Sequence, residues 1–207
     1  MVIRELKPSQ HVQGRWLIQL DNGELIRVGE SEVVACALYI GKELTGAEVE
    51  ALQAAARRSG LKEKAIELLA RKPLSRWELE RKLEQWEAGE EESAAICDRM
   101  EELGFLNDAE YAGRVARHYS AKGYGERKLR DELYRRGISR ELWPEALEQV
   151  EDPADALDSF VAKKLAGRTP DRKELKKVSD ALARRGFGWS EINDALRRYG
   201  AQVEDEI

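Results

Sequence analysis

The chain has 207 residues, of which 42% are hydrophobic and 36% are charged, and its formal net charge is −5. This composition can supply a hydrophobic core but leaves an unusually charged surface. It argues against a membrane protein, because no stretch approaches the roughly 18 consecutive apolar residues of a membrane span. The first six residues also lack the pattern of a secretion signal, so we expect a cytoplasmic protein.

The residues that usually carry enzyme chemistry are few and scattered. Cys36 and Cys97 have no metal-ligand spacing and are interpreted as buried helix thiols without a disulfide. His11 and His118 fall in separate modules, and no G-x-S-x-G, Walker A or H-E-x-x-H motif occurs. We therefore expect a protein that is not an enzyme and that holds no cofactor or metal.

The N-terminal segment, residues 1–60, begins with predicted β-strands. Residues 11–20 and 24–28 are rich in β-favouring residues, and Asn22-Gly23 between them predicts a hairpin with a type I′ turn. Because a lone hairpin is marginal in water, it should pair with a further strand such as residues 2–6, or pack on a helix.

Two helices are predicted to complete this segment. Ser31 is the expected cap of a short helix that runs to Tyr39. Thr45 and Glu48 have capping-box spacing and open a second helix, which we expect to end at Ser59-Gly60.

From residue 61 the pattern is helical and repeats about every 50 residues. Leu79 and Leu83 lie 50 residues before Leu129 and Leu133, which lie 49 residues before Val178 and Leu182. The endings Arg135-Arg136-Gly137 and Arg184-Arg185-Gly186 recur in the same register, and Glu101-Glu102-Leu103-Gly104 is interpreted as a third copy. Such a period predicts a repeat array in which each unit packs against its neighbours.

The predicted fold is thus mainly α: an elongated array of three tandem three-helix repeats behind a small β-hairpin-containing segment. The repeats are assigned to residues 61–106, 107–152 and 153–200, and residues 201–207 to a flexible tail. Ser75, Asn107 and Ser190 are expected helix caps, Glu90-Glu91-Glu92 an exposed loop, and Pro144 the start of a helix after a turn.

Charge is distributed unevenly along the repeats. Residues 87–110 contain nine acidic residues and one basic residue, whereas residues 163–185 contain nine basic and three acidic ones. This asymmetry predicts a basic contact surface on an otherwise acidic protein. The candidate partner- or DNA-binding residues are Lys122, Tyr124, Arg127, Lys128, Arg130, Arg135, Arg136, Lys163, Lys164, Lys176, Lys177, Arg184 and Arg185.

A purely structural interpretation of these cations stays open in repeat two. Glu126–Arg130, Arg127–Asp131, Asp131–Arg135 and Glu132–Arg136 all have the i,i+4 spacing that stabilises a helix without any ligand. In repeat three most cations have no such neighbour, so Lys163, Lys164, Lys176 and Lys177 are the best candidates. The tryptophans of the repeats are interpreted as packing residues, and Tyr124 in its basic loop as exposed.

Two stretches of the repeats resemble one protein family. They are Leu103-Gly104-Phe105-Leu106-Asn107-Asp108 with Tyr111-Ala112, Lys122-Gly123, Lys128-Leu129 and Gly137-Ile138, and the earlier Leu68-Leu69 with Leu74-Ser75-Arg76, Glu78-Leu79 and Lys82-Leu83. This pattern resembles RecX, the family of bacterial regulators of the RecA recombinase, over about residues 61–200. The N-terminal segment is similar to the extension of longer members.

The resemblance implies a specific function and specific partners. It implies a protein that binds the RecA filament on single-stranded DNA, lies along the filament groove, and inhibits recombinase and coprotease activity. We also expect the protein to be a monomer. The alternative is a helical DNA-binding protein that uses the basic helices of repeats two and three directly. An enzyme with an unrecognised site is a third, weaker hypothesis.

Overall fold

The computed structural model describes residues 1–152, 154–165 and 170–199, so the predicted tail at 201–207 lies outside the described residues. Within these ranges the fold is mainly α with a small three-stranded sheet, as predicted. The strands are β1 (Ile3–Pro8), β2 (Arg15–Leu20) and β3 (Leu25–Gly29). The helices are α1 (Glu30–Ala35), α2 (Gly46–Arg71), α3 (Arg76–Gln85), α4 (Glu90–Glu102), α5 (Asp108–Ala121), α6 (Glu126–Arg135), α7 (Trp143–Glu148), α8 (Ala154–Leu165), α9 (Arg172–Arg184) and α10 (Trp189–Arg198).

The chain divides into two compact units. The first contains residues 1–72 and 79–105, and the second contains residues 73–78 together with the chain from Leu106 onwards. Each repeat contributes three helices, namely α2, α3 and α4, then α5, α6 and α7, then α8, α9 and α10.

The sheet of the first unit is antiparallel, in the order β1-β2-β3, so the hairpin does pair with a further strand. Its turn differs from the predicted type I′, because Gly23 alone of the turn residues has a positive φ, of 86°. The Leu20 amide donates to the Glu24 carbonyl, and the Gly23 amide to the Leu20 carbonyl. The loop is therefore three residues long, with glycine in the left-handed position.

The helices of the first unit cover one face of this sheet. Ile18, Ile26 and Val28 pack with Val49 and Leu52 of α2 in one core. The capping box of Thr45 and Glu48 forms as predicted, since the Thr45 amide donates to the Glu48 carboxylate over 2.7 Å.

Three expectations for this unit are wrong. Helix α1 begins after Gly29, whose amide donates to the Glu32 carboxylate, so Ser31 lies inside the helix and the helix ends at Ala35. Helix α2 passes through Gly60 to Arg71, because buried Leu61, Ala65 and Leu69 continue its apolar face and outweigh the helix cost of about 1 kcal/mol for one glycine. The expectation of two buried thiols holds for Cys97 but not for Cys36, which is exposed.

Repeats two and three have separate hydrophobic cores. Leu129 and Leu133 pack with Ala112, Ala116 and Ile138 in repeat two. Val178 and Leu182 occupy the corresponding positions of repeat three, in a cluster with Leu157, Phe187 and Ile192. The periodic leucines are therefore core residues, as their spacing predicts.

The helix starts confirm some predicted caps and correct others. Ser75 and Glu78 form the expected reciprocal pair, and α7 starts at Trp143 with Pro144 in its first turn. Asn107 is a cap as predicted, since its side chain accepts from the Glu110 amide over 3.0 Å. Ser190 is not a cap, since α10 begins after Gly188, whose amide bonds to the Glu191 carboxylate over 2.5 Å.

The acidic run from Glu90 to Glu92 is also not a loop. These carboxylates form the first turn of α4, which starts after Gly89. Negative charge is favourable at that position because the first amides of a helix are unpaired and its N-terminus carries partial positive charge.

The second helix of each repeat ends in the same left-handed turn. Gly137 and Gly186 have φ values of 64° and 91°, and the corresponding residue of repeat one is Glu87, with φ of 63°. In each copy the next residue donates to a core leucine: Ala88 to Leu83, Ile138 to Leu133 and Phe187 to Leu182. Gly104 forms the same kind of turn, with φ of 73° and the Phe105 amide donating to the Met100 carbonyl, but it follows the third helix, α4, and is therefore not the copy in register.

Replacing Glu87 by glycine should stabilise the protein by about 0.5–1 kcal/mol. A side chain is disfavoured in the left-handed region, and glycine removes that cost while keeping the backbone hydrogen bonds. Urea unfolding measures the effect. Glu84→Gly, at an exposed position of α3, is the matched control and should destabilise by about 1 kcal/mol. Equal destabilisation by both variants would contradict the assignment of Glu87.

Candidate functional site

A buried carboxylate organises the cations of repeat two. Glu132 on α6 is only 5% exposed. It accepts hydrogen bonds from Arg136 at 2.7 Å and Arg135 at 3.4 Å, and pairs with Lys128 at 3.0 Å. One carboxylate thus binds three of the cations that the sequence marks as candidates for partner contact.

The charge of Glu132 is stabilised by this cluster. Burial alone would raise the pKa of Glu132, but hydrogen bonds from Arg136, Lys128 and Tyr119 outweigh it and lower the pKa to about 2. Burial disfavours the charge of Arg136, yet bonds to Glu132, Tyr119 and Tyr111 raise the pKa of Arg136 above its usual value. The cluster is therefore a fixed part of the repeat-two structure.

We expect the cluster to make stability depend on acid pH. The folded pKa of Glu132, about 2, lies below the ordinary value of 4.5, so its contribution is fully present above about pH 5 and is lost as the pH falls towards 2. The difference corresponds to about 3 kcal/mol. Urea unfolding between pH 7 and pH 2 measures it.

In Glu132→Gln the free energy of unfolding should fall less between pH 5 and pH 2, because an amide has no proton to gain. Glu126→Gln is the matched control on the same helix, where the exposed carboxylate bonds to Arg130. If the free energy of unfolding falls equally at acid pH in Glu132→Gln and in the unsubstituted protein, the role given to this carboxylate is contradicted.

Repeat three lacks the carboxylate that neutralises repeat two. At the 49-residue offset, Ala181 corresponds to Glu132, and Lys177 and Arg184 correspond to Lys128 and Arg135. Lys177 and Arg184 are exposed and make no ion pair within the described residues. The same helix face thus carries bound cations in repeat two and free cations in repeat three.

The structure divides the predicted site residues by their contacts. Lys128, Arg130, Arg135 and Arg136 are held by carboxylates of α6. Of the four spacings noted in the sequence, Glu126–Arg130 and Glu132–Arg136 are ion pairs, whereas no pair involving Asp131 is found in the described ranges. The exposed candidates without an ion pair in the part of the chain that the structure describes are Lys122, Arg127, Lys163, Lys164, Lys176, Lys177 and Arg184.

Two of these exposed lysines lie over aromatic rings. The Lys122 ammonium is 5.5 Å from the centre of the Tyr119 ring, and that of Lys164 is 5.7 Å from the Phe160 ring. Among the candidate lysines, Lys163, Lys176 and Lys177 are exposed and have neither an ion pair nor an aromatic contact within the described residues.

Tyr124 and Arg185 are only partly exposed and contact other parts of the repeats. The Arg185 guanidinium lies 4.6 Å from the centre of the Phe160 ring and 5.9 Å from that of Tyr124, and donates to the Gly123 carbonyl over 3.2 Å. Tyr124 is half-buried beside Tyr119. The expectation that Tyr124 is exposed is wrong, because the turn of repeat three covers it.

The Arg-Gly endings of α6 and α9 form two equivalent junctions. The amides of Gly125 and Arg127 donate to the carbonyls of Arg185 and Gly186, over 3.0 and 3.1 Å. Fifty residues earlier, the Ser75 hydroxyl donates to the Arg136 carbonyl. In both junctions the start of one helix meets the left-handed turn that follows another.

This close approach explains why both turns contain glycine. A Cβ at Gly137 would overlap the Trp77 ring, and a Cβ at Gly186 would overlap the Lys128 backbone. The sequence shows the repeated Arg-Gly pair but not its partner. The only available signal was that the pair recurs at the same offset as the core leucines.

Family models of RecX match three consecutive segments of the chain. The first, second and third three-helix domains match residues 62–100, 107–147 and 151–196. A regulatory protein RecX of Pseudomonas putida (strain GB-1) is 36% identical over 68% of this chain and 90% of its own length. The chain belongs to the RecX family. A second RecX, of Pseudomonas entomophila (strain L48), is 37% identical over 64% of this chain and 86% of its own length.

Solved RecX structures share the fold. A crystal structure of regulatory protein RecX superposes with a TM-score of 0.75 at 23% identity, over 93% of this chain and 98% of the other. RecX from Lactobacillus salivarius gives a TM-score of 0.65 at 20% identity, over 70% and 97% of the two chains. The RecX family models begin at residue 62, so the three-stranded sheet precedes them.

No described helix is long and apolar enough to cross a membrane. No group of three His, Cys, Asp or Glu side chains in the described ranges could hold a metal ion.

Proposed function

We propose that this chain is a non-catalytic regulator that binds the RecA filament on single-stranded DNA along its groove and inhibits recombinase and coprotease activity. Membership of the RecX family is the observation that carries the proposal, because its relatives are named regulatory proteins. The separate cores of repeats two and three support it, since a chain of modules can contact several subunits of a filament.

In this proposal the protein inhibits because its repeats bridge neighbouring RecA subunits of the filament. Each repeat makes a modest contact with one RecA subunit, and the covalent link between repeats raises the effective concentration of the next contact. Occupying the groove would then exclude the duplex DNA that must enter it for strand exchange. Capping of a filament end would inhibit growth by the same contacts.

A second candidate function is direct DNA binding by the same helices. The free cations of repeat three favour it, because unpaired lysines and arginines are the usual ligands of DNA phosphates.

Filament activity assays test the main proposal. Adding the protein to RecA on single-stranded DNA should lower the ATPase rate and the yield of strand exchange at concentrations comparable to that of the RecA subunits. Activities that stay unchanged at a tenfold excess of the protein over RecA would contradict it.

Charge reversal at Lys176 and Lys177 should weaken filament binding while leaving helicity intact. Both side chains are exposed and have no ion pair among the described residues, so their loss removes contacts to a partner rather than internal contacts. The residual affinity should also depend less on salt. Binding is measured by anisotropy of labelled filaments.

The matched control is reversal of Lys72 and Arg114, which are exposed, have no ion pair within the described residues and change the net charge equally. If Lys176→Glu/Lys177→Glu inhibits at the same concentration as the unsubstituted protein, these lysines are only solvated surface residues.

A further inference from the structure

A basic cleft lies in the first unit, between the sheet and helix α2. It has a volume of about 390 Å³. Arg15 and Arg27 enter it from β2 and β3, and Arg57 and Lys64 from α2, with Trp86 at its edge. The cleft involves none of the cations discussed for repeats two and three.

The positive charge of this cleft is only partly neutralised. Glu63 and Glu67 are its two lining carboxylates. Glu63 pairs with Arg15 at 3.4 Å, and Glu67 lies 3.9 Å from Arg71 outside the cleft. Within the described residues Arg27 and Lys64 have no ion pair, and Arg57 donates only to the Glu87 carbonyl. Three cationic groups therefore remain available to an anionic ligand.

Glycine in the wall of the cleft is a second, independent observation. Gly60 lies in the interior of α2, on the helix face that also carries Arg57 and Lys64, where glycine is less stabilising than alanine. Packing does not require it, since a Cβ at Gly60 would meet no atom within 4 Å. Local choices that lower stability without a packing reason are typical of functional sites. Here the missing side chain keeps the helix backbone open to the cleft.

An aromatic ring borders the same cations. The Lys64 ammonium lies 5.6 Å from the centre of the half-buried Trp86 ring. Sites for single-stranded nucleic acid usually combine a groove lined by cations with an aromatic side chain. The cations contact the phosphates, and the bases stack on the aromatic ring.

We propose that this cleft binds the phosphodiester backbone of single-stranded nucleic acid through Arg27, Arg57 and Lys64. The site is separate from the basic helices of the repeats and does not require RecA. It would give the first unit its own contact with the DNA strand.

The test measures binding of a fluorescein-labelled dT 20-mer to the full chain without RecA, as a function of salt. Arg27→Ala/Lys64→Ala removes two phosphate contacts, so the slope of log affinity against log salt should fall by about 1.4. Arg4→Ala/Lys7→Ala removes two exposed cations of the same unit outside the cleft and should leave the slope unchanged. Equal slopes for the cleft variant and the unsubstituted protein would overturn the proposal.

Two additional measurements test the role of Gly60 and the type of ligand that the cleft binds. Gly60→Ala should raise the melting temperature but weaken oligonucleotide binding several-fold, whereas unchanged binding would overturn the role of the open wall. ATP and inorganic phosphate serve as competitors. Displacement of the oligonucleotide by micromolar ATP would overturn the proposal in favour of a mononucleotide site, and we expect millimolar concentrations to be needed.

Discussion

Replacing Leu133 or Leu182 by alanine is expected to lower the free energy of unfolding by about 2–5 kcal/mol. Both side chains are fully buried, each at the centre of the core of its own repeat. The truncation removes apolar contacts and leaves a cavity that the helices can fill only in part. Urea unfolding followed by circular dichroism measures the loss.

The control for these variants is Leu25→Ala in β3, where the side chain is 51% exposed. It should change stability by less than about 0.5 kcal/mol. Because the two cores are separate clusters, Leu182→Ala should open repeat three locally while repeat two stays protected from hydrogen exchange. A loss below about 0.5 kcal/mol at both buried leucines would contradict the core assignment.

Deleting repeat three from Ala154 onwards should reduce inhibition far more than the loss of one contact surface. The remainder should stay folded, since Leu129 and Leu133 pack within repeat two and not with repeat three. If inhibition depends on bridging, removing one module also removes the gain in effective concentration, which amounts to roughly 100-fold or more. Strand exchange assays over a range of protein concentrations measure the effect.

Salt and charge controls separate bridging from simple phosphate binding. If the deletion removes only phosphate contacts, lowering the salt concentration should largely restore the lost binding. Full-length Lys176→Glu/Lys177→Glu retains three repeats and should lose less inhibition than the deletion. If the deletion variant is folded and inhibits at the same concentration as the full-length protein, bridging by repeat three is excluded.

Periodicity predicted the helical repeats because it records burial directly. Leu79, Leu83, Leu129, Leu133 and Leu182 are spaced for one helix face, and all are buried. The end of α2 was mispredicted because Gly60 reads as a stop signal, and only the packing of Leu61 and Leu69 shows that the helix continues. Glu87 was missed for the opposite reason, since nothing in a glutamate indicates a left-handed turn.

The candidate site was predictable in composition but not in pairing. Sequence spacing pointed to Glu132–Arg136, but it could not show that Glu132 is buried and also binds Lys128 and Arg135. Burial decides which cations are held internally, and it depends on tertiary contacts. The exposure of Tyr124 was mispredicted because Arg185, which lies over its ring, is about 60 residues away along the chain and in another repeat.

We propose that the protein recognises the RecA filament rather than DNA alone. The most direct test of this proposal compares the affinity of the protein for bare single-stranded DNA with its affinity for a preformed RecA filament on the same DNA, at about 150 mM salt. We predict binding to the filament that is roughly 100-fold tighter and less dependent on salt, because several protein contacts add to any phosphate contacts. Comparable affinities for both, with the same steep salt dependence, would contradict the account and favour direct DNA binding.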